Sequence, residues 1–224
     1  MLVYVHVPFC ARRCSYCDFA IAVRRDTPSD VFADAILQEW DRRQDAPAAA
    51  AGPNAIETVY FGGGTPSRLD PRALEKILVG LDARRAIGAG AEVTVEANPD
   101  DVTRARAAAW RQLGINRVSL GVQSFDPGVL AWMHRTHTAE QSAEAVGVLR
   151  AAGIGNLSID LIYGVPAELG RSWNADLEQA LALRPDHLSF YALTVETGTP
   201  LGKWTARREA TPLADDAVAG EYLR

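Results

Sequence analysis

Polar and apolar positions along the chain sort into six short strand-like runs separated by helical patterns. The runs cover residues 2–7, 57–61, 92–97, 117–122, 157–163 and 187–193, each rich in β-branched or aromatic side chains. Several are apolar on both faces, as in Leu157-Ser158-Ile159-Asp160-Leu161-Ile162-Tyr163, which suits parallel strands covered by helices. The helical patterns carry their own punctuation. Ser29 is placed to cap a helix reaching about Gln44, and Asp70-Pro71 supplies a cap followed by proline at the first helical position. Thr138 with Gln141 makes a capping box, and Gly114 and Gly153 each follow a helix as its terminating glycine. Strand–helix alternation with right-handed crossovers predicts an α/β fold whose parallel sheet curls into part of a barrel. Six units fall short of the eight in a closed barrel. The expectation is therefore a partial (βα)6 TIM-like barrel with outer helices, one domain spanning residues 1–224.

Composition narrows the possibilities. A hydrophobic share of 48% over 224 residues is a globular value and enough for one good core. The net charge of −5 gives no electrostatic reason to expect nucleic-acid binding. No apolar run approaches the roughly 20 residues of a membrane span, which leaves only peripheral membrane contact. The first strand begins at once, with no room for a signal peptide, so a cytoplasmic location is expected. Residues 46–52 (A-P-A-A-A-A-G) read as a surface linker between a helix and the next strand.

The chemistry is concentrated near the N-terminus. All three cysteines, Cys10, Cys14 and Cys17, lie within eight residues in C-x3-C-x2-C spacing. Three thiolates on one tight loop can hold three irons of a [4Fe–4S] cube and leave the fourth open to a substrate. Three alternatives stand beside that reading. A disulfide would leave one cysteine over, zinc would need His6 or water as a fourth ligand, and inert thiols on one helix face show similar spacings. Pro8 before the group and Arg12-Arg13 inside it favour a loop.

This segment, a hydrophobic strand followed by P-F-C-x3-C-x-Y-C, resembles the radical S-adenosylmethionine (SAM) enzymes. Within them it resembles the oxygen-independent coproporphyrinogen III oxidase group, which includes the heme chaperones called HemW. The resemblance spans essentially all 224 residues. It implies that the amino and carboxylate groups of SAM chelate the open iron. One electron from the reduced cluster then breaks a carbon–sulfur bond and releases a 5′-deoxyadenosyl radical.

Ligands in such folds sit at the carboxyl ends of the strands, where polar groups of this chain fall one after another. The resemblance implies that Gly63, Gly64 and Thr65 meet the methionyl amino group, and that Tyr4, Glu96, Gln123 and Arg135 also contact SAM. Arg135 would grip the carboxylate in bidentate fashion. Asp160 fits the ribose-hydroxyl position, and Tyr16 stands where the family packs an aromatic against adenine. On the residues alone, the tyrosines also read as core aromatics and the two carboxylates as a rim salt bridge and a loop cap. His134-Arg135-Thr136-His137 invites a heme or metal reading, although a histidine in a polar loop is more often exposed or hydrogen-bonded.

Two departures separate the chain from a true coproporphyrinogen oxidase. That enzyme carries a fourth cysteine two residues after the third, where this chain has Phe19, and a sizeable N-terminal extension that helps enclose its porphyrin. Both point to the HemW branch, which binds and delivers heme. A porphyrinogen-oxidising radical SAM oxidoreductase is the alternative. The branch implies heme as cargo, heme-accepting proteins as partners, and a reduced electron donor such as flavodoxin or ferredoxin. Its C-terminal His-Asn-x-x-Tyr-Trp string does not occur here, and the pattern predicts a helix under way from about Leu213 to the last residue. The chain is therefore expected to be a truncated form covering the radical SAM core.

Overall fold

Six parallel strands form the principal sheet of the computed structural model, which describes residues 1–44, 55–211 and 213–223. In chain order they are β1 (Leu2–Val7), β4 (Ile56–Gly63), β5 (Ile87–Ala97), β6 (Arg117–Gln123), β7 (Asn156–Tyr163) and β8 (His187–Ala192), and they lie in that order across the sheet. Two-residue strands β2 (Phe9–Cys10) and β3 (Ala22–Val23) pair separately. Helices α1 (Ser29–Gln44), α2 (Pro71–Arg84), α3 (Arg104–Gln112), α4 (Pro127–Trp132), α5 (Ala139–Ala151) and α6 (Trp173–Ala182) join successive strands. The short helices α7 (Pro200–Ala206) and α8 (Asp215–Tyr222) follow β8. This is the partial-barrel α/β architecture expected from the alternation.

The punctuation works with one exception. Asp70 accepts the Arg72 amide ahead of Pro71, and Thr138 and Gln141 close both bonds of the capping box. Gly114 and Gly153 terminate their helices with φ of 85°. Ser29 is not a cap. It is the first helical residue, and its hydroxyl accepts the Asp70 amide, which ties α1 to the start of α2. The linker expected at 46–52 lies outside the described residues.

Register decides what the two faces of the sheet present. Val5, Val7, Val59, Phe61, Val93, Val95, Val118, Leu120, Val122, Leu157, Ile159 and Leu161 are buried against Leu74, Ile77, Leu81, Trp110 and Leu149 of the outer helices. Fully burying each such side chain contributes roughly 1.5–3 kcal/mol. The alternate positions face inward. Tyr4, Tyr60, Thr94, Arg117 and Asn156 lie side by side, followed by the row Glu96, Ser119, Ser158 and His187 and then Gly121, Asp160 and Ser189. The expectation of strands apolar on both faces is thus corrected. Outer faces are apolar, while the concave face is polar because it borders a cavity and not a packed interior.

The cysteine loop is anchored on three sides. Ala22 and Arg24 donate backbone amides to Pro8 and Cys10 at 2.7 and 2.9 Å. Ser15 donates to the Met133 carbonyl at 3.2 Å, and Leu201 of α7 donates to Ser15 at 2.8 Å. A smaller apolar cluster, Val129, Met133, Ile162 and Val165, packs beneath it with Tyr16 and Trp132.

Candidate functional site

Strand ends and the loops after them enclose a cavity of about 340 Å³. Its walls include Cys10, Cys14, Tyr16, Cys17, Gly63, Gly64, Thr65, Glu96, Gln123, Arg135 and Asp160. All three cysteines and every residue that the resemblance assigns to SAM, except Tyr4, therefore face one space, whereas His6 and His137 do not line it. Tyr4 stands beside it on β1, its ring stacked on Tyr60 at 5.8 Å and close to the Gly62 backbone.

The cysteines are free thiols. Burial pushes the Cys10 thiol up, opposed by the Thr65 hydroxyl, which donates to its sulfur at 3.3 Å. Burial also raises Cys17. Arg135 reaches the Cys14 sulfur at 3.7 Å. A hydroxyl on Cys10 and a guanidinium beside Cys14 are donors that would remain as partners of iron-ligating sulfurs. Among the described residues no three His, Cys, Asp or Glu side chains are arranged to hold a single metal ion.

The loop after β4 shows why glycine is needed. Gly63 has φ of 111°, and a Cβ there would lie 2.6 Å from the His6 ring. Its amide donates to Glu96 Oε2 at 2.9 Å, while the Tyr60 hydroxyl donates to Oε1 at 2.8 Å. Burial still raises the Glu96 carboxyl above its ordinary range, the two bonds only partly opposing it. Asp160 is raised by burial as well, against hydrogen bonds from serines, with Ser119 Oγ 2.9 and 3.0 Å from its two oxygens. Carboxylates held this way retain acceptor capacity for an ammonium or ribose hydroxyls.

Arg135 occupies the centre. Its Nη2 donates to Asn98 Oδ1 at 2.6 Å and to the Gly121 carbonyl at 2.7 Å, whereas its buried Nε has no partner. The guanidinium fork is thus engaged by protein, and the orphaned Nε is an unspent donor inside the site. Gln123 ends β6 with φ of 69°, a left-handed conformation that non-glycine residues hold only under tertiary constraint. Tyr16 lies beside Cys14 and Arg135, and burial raises its phenol.

Asn98, Ser119 and Gly121 also line the cavity and were not foreseen, and His134, weighed earlier for heme or a metal, lines it as well. Ser119 and Gly121 had a signal, the alternation Arg117-Val118-Ser119-Leu120-Gly121-Val122-Gln123, which places every second residue on the face of Gln123. Asn98 and His134 sit on loops, where periodicity says nothing.

Comparison with known proteins gives a consistent result. The sequence pattern of the radical SAM superfamily matches residues 4–180. The heme chaperone HemW of Escherichia coli is 36% identical over 201 residues, covering 89% of this chain and 52% of that protein. The HemW protein of Mycobacterium tuberculosis is 38% identical over 223 residues, covering 98% and 56%. Among solved structures, the radical SAM coproporphyrinogen III oxidase HemN of Escherichia coli superposes with a TM-score of 0.84 at 26% identity, over 99% of this chain and 50% of that one. The chain spans about half the length of the curated relatives it matches.

Proposed function

The chain belongs to the radical SAM superfamily, and from that premise we propose that it is the cluster- and SAM-binding core of a heme chaperone. Membership implies a [4Fe–4S] cluster and SAM. The observation that carries the reading is the convergence of three thiols, the Gly63–Gly64–Thr65 backbone and two half-buried, hydrogen-bonded carboxylates on one cavity. When bound, the reduced cluster supplies one electron for cleaving a carbon–sulfur bond of SAM.

In this reading Cys10, Cys14 and Cys17 hold three irons. Gly63, Gly64, Thr65 and Glu96 receive the methionyl amino group, and Asp160 binds the ribose hydroxyls. Tyr16 borders the adenine, Tyr4 flanks the methionyl end, and Gln123 with Arg135 fixes the remaining polar groups. The Nε of Arg135 is the donor left for a ligand, since Nη2 is engaged by Asn98 and Gly121 and Nη1 faces the Cys14 sulfur. Thr65 tunes the cluster through its bond to Cys10. Heme is the cargo, passed to heme-accepting proteins in the cytoplasm, with flavodoxin or ferredoxin as reductant. Resemblance to HemW proteins supports the chaperone over an oxidase, as does Phe19 in place of a fourth cysteine. Among the described residues no helix is long and apolar enough to cross a membrane.

The test is anaerobic reconstitution with iron and sulfide. A broad absorption near ~400 nm is expected, absent in Cys14→Ala, together with a SAM-induced change in the electron paramagnetic resonance of the reduced cluster. Stoichiometric zinc without iron-dependent colour overturns the cluster. Conversion of coproporphyrinogen III to decarboxylated product above a no-protein control replaces the chaperone with the oxidase.

A further inference from the structure

Charge is spread unevenly around the cysteine loop. The chain as a whole is acidic, with a net charge of −5, yet residues 11–17 and 200–208 hold Arg12, Arg13, Lys203, Arg207 and Arg208 and no aspartate or glutamate. All five cations are exposed, and among the described residues none forms an ion pair. The bond from the Leu201 amide to the Ser15 carbonyl brings the two segments together. Arg12 Nη1 donates to the His134 carbonyl at 3.3 Å and Arg13 Nη1 to the Cys17 carbonyl at 3.2 Å, which holds both guanidiniums beside the loop. Lys203 and Arg207, four residues apart, share one side of α7, while Leu201 and Gly202 fill its buried side. Of the five cations only Arg12 reaches the cavity wall, so this charge is not part of the SAM site.

Between these cations lies an aromatic group. Trp204 of α7 meets the His134 ring edge-on at 5.5 Å and tilts against Trp132 at 6.1 Å. Both tryptophans are half-buried and neither lines the cavity, whereas His134 does, together with Cys14. Packed rings thus lead from the surface of α7 to the cysteine site. Tryptophan and arginine supply much of the binding energy at protein interfaces, and charges at the rim set the rate of encounter. The negative charge of the rest of the chain repels an acidic protein, so a basic face beside the loop also directs where such a partner lands.

We propose that α7 and the first turn of the cysteine loop form the docking surface for an acidic one-electron carrier protein. Lys203, Arg207 and Arg208 pair with carboxylates of the carrier at the rim, and Trp204 packs at the centre beside His134. The carrier gives up one electron and the cysteine site takes up one, with no bond made or broken and no proton transferred. This surface rests on the cluster reading above, to which it adds where the reductant binds, and its binding arm is read apart from any reaction.

The probe is an acidic ferredoxin. Calorimetry measures binding of its oxidised form to the reconstituted protein at low and high salt, and stopped flow follows reduction by its photoreduced form. Wild type should bind at low salt and lose affinity as salt rises. The double variant Lys203→Glu/Arg207→Glu should weaken binding and slow reduction by about tenfold or more at low salt, and should flatten the salt dependence. Both side chains are exposed, so SAM affinity and reduction by dithionite, which needs no docking, should stay within about twofold. A matched reversal in the last turns of α1 and α3, Arg42→Glu/Arg111→Glu, should leave ferredoxin affinity within about twofold, which separates local charge from net charge. Equal ferredoxin affinity for wild type and Lys203→Glu/Arg207→Glu, an equal loss in the matched reversal, or no binding by wild type at low salt overturns the proposal. Vesicles of anionic lipid that bind wild type but not Lys203→Glu/Arg207→Glu, with ferredoxin affinity unchanged, reassign the patch to a membrane and overturn it as well. Absence of a dithionite-reduced cluster signal removes the cluster reading, whereas a normal signal with charge-indifferent ferredoxin binding removes only this surface.

Discussion

His137 shows how the chemistry of a single side chain is set by where the fold buries it. In the string His134-Arg135-Thr136-His137 it invites a ligand role, yet it is buried, with Nε2 donating to the Val122 carbonyl at 3.0 Å and Nδ1 without a partner. Burial, with the Arg135 charge beside it, lowers its pKa to about 4. The unfolded chain therefore binds this proton between pH 6.5 and 4 while the folded chain does not, so stability falls as pH drops through that window. The loss totals about 3 kcal/mol. Urea denaturation at pH 4.5, 5.5 and 7 should show it, and His137→Asn should remove that share of the slope. A wild-type-minus-variant difference that does not change with pH refutes the assignment. Gly121 makes a second residue-scale case. A Cβ there would stand 2.9 Å from Gln123 Nε2 and 3.5 Å from Arg135 Nη2. Gly121→Ala should weaken SAM binding by about tenfold in calorimetry while shifting the melting temperature little. Neither effect is visible in the sequence, because each depends on a residue placed across a turn.

Elements were legible where they carried their own signals. Caps and terminating glycines located most helices, and β-branched runs located all six strands. What was missed is instructive. β5 begins at Ile87, five residues before the expected start, because Gly88 and Gly90 hide a strand that pairs through a register shift opposite Ile56 and Thr58. α4, a six-residue helix, is too short for periodicity to mark. Long-range ties between elements were invisible altogether. Asp176 in the first turn of α6 reads as an acid favouring a helix N-terminus. In the fold it accepts from Ser124 Oγ and the Phe125 amide, both at 2.8 Å, and from Arg171 at 3.2 Å. Arg171, with 1% side-chain exposure, also meets Glu221 of α8, which accepts the Gly164 amide at 2.7 Å. One buried ionic group thus joins the loops after β6 and β7 to α6 and α8. Asp176→Ala would strand the Arg171 charge and should cost about 3–5 kcal/mol in urea denaturation. Asp176→Asn should cost less, since burial already disfavours the carboxylate. Equal losses for the two variants would mean that packing, not charge, sets the value.

At the scale of the molecule, the sheet has the polarity of a closed barrel reversed. A closed barrel fills its interior with branched apolar side chains. Here those side chains sit outside, between sheet and helices, and the concave row runs through Tyr60, Thr94, Glu96, Ser119, Ser158 and Asp160. The sequence did contain this inversion, in the polar alternate positions of β6 and β7. Assuming helix cover on both faces obscured it. The division of labour it creates can be measured. Asp160→Asn removes a charge that burial already penalises, so folding stability should hold or rise slightly at neutral pH, where a raised carboxylate pKa works against the ionised form. SAM affinity should fall by about tenfold or more, because a charged acceptor for ribose hydroxyls is gone. Phe61→Ala on the opposite face of the sheet, fully buried, should cost about 3–5 kcal/mol in stability. Its SAM affinity, measured well below the melting temperature, should change much less than that of Asp160→Asn. If Asp160→Asn destabilises as much as Phe61→Ala, the concave face is part of the core after all, and the reading of this fold as a one-sided core around an open site fails.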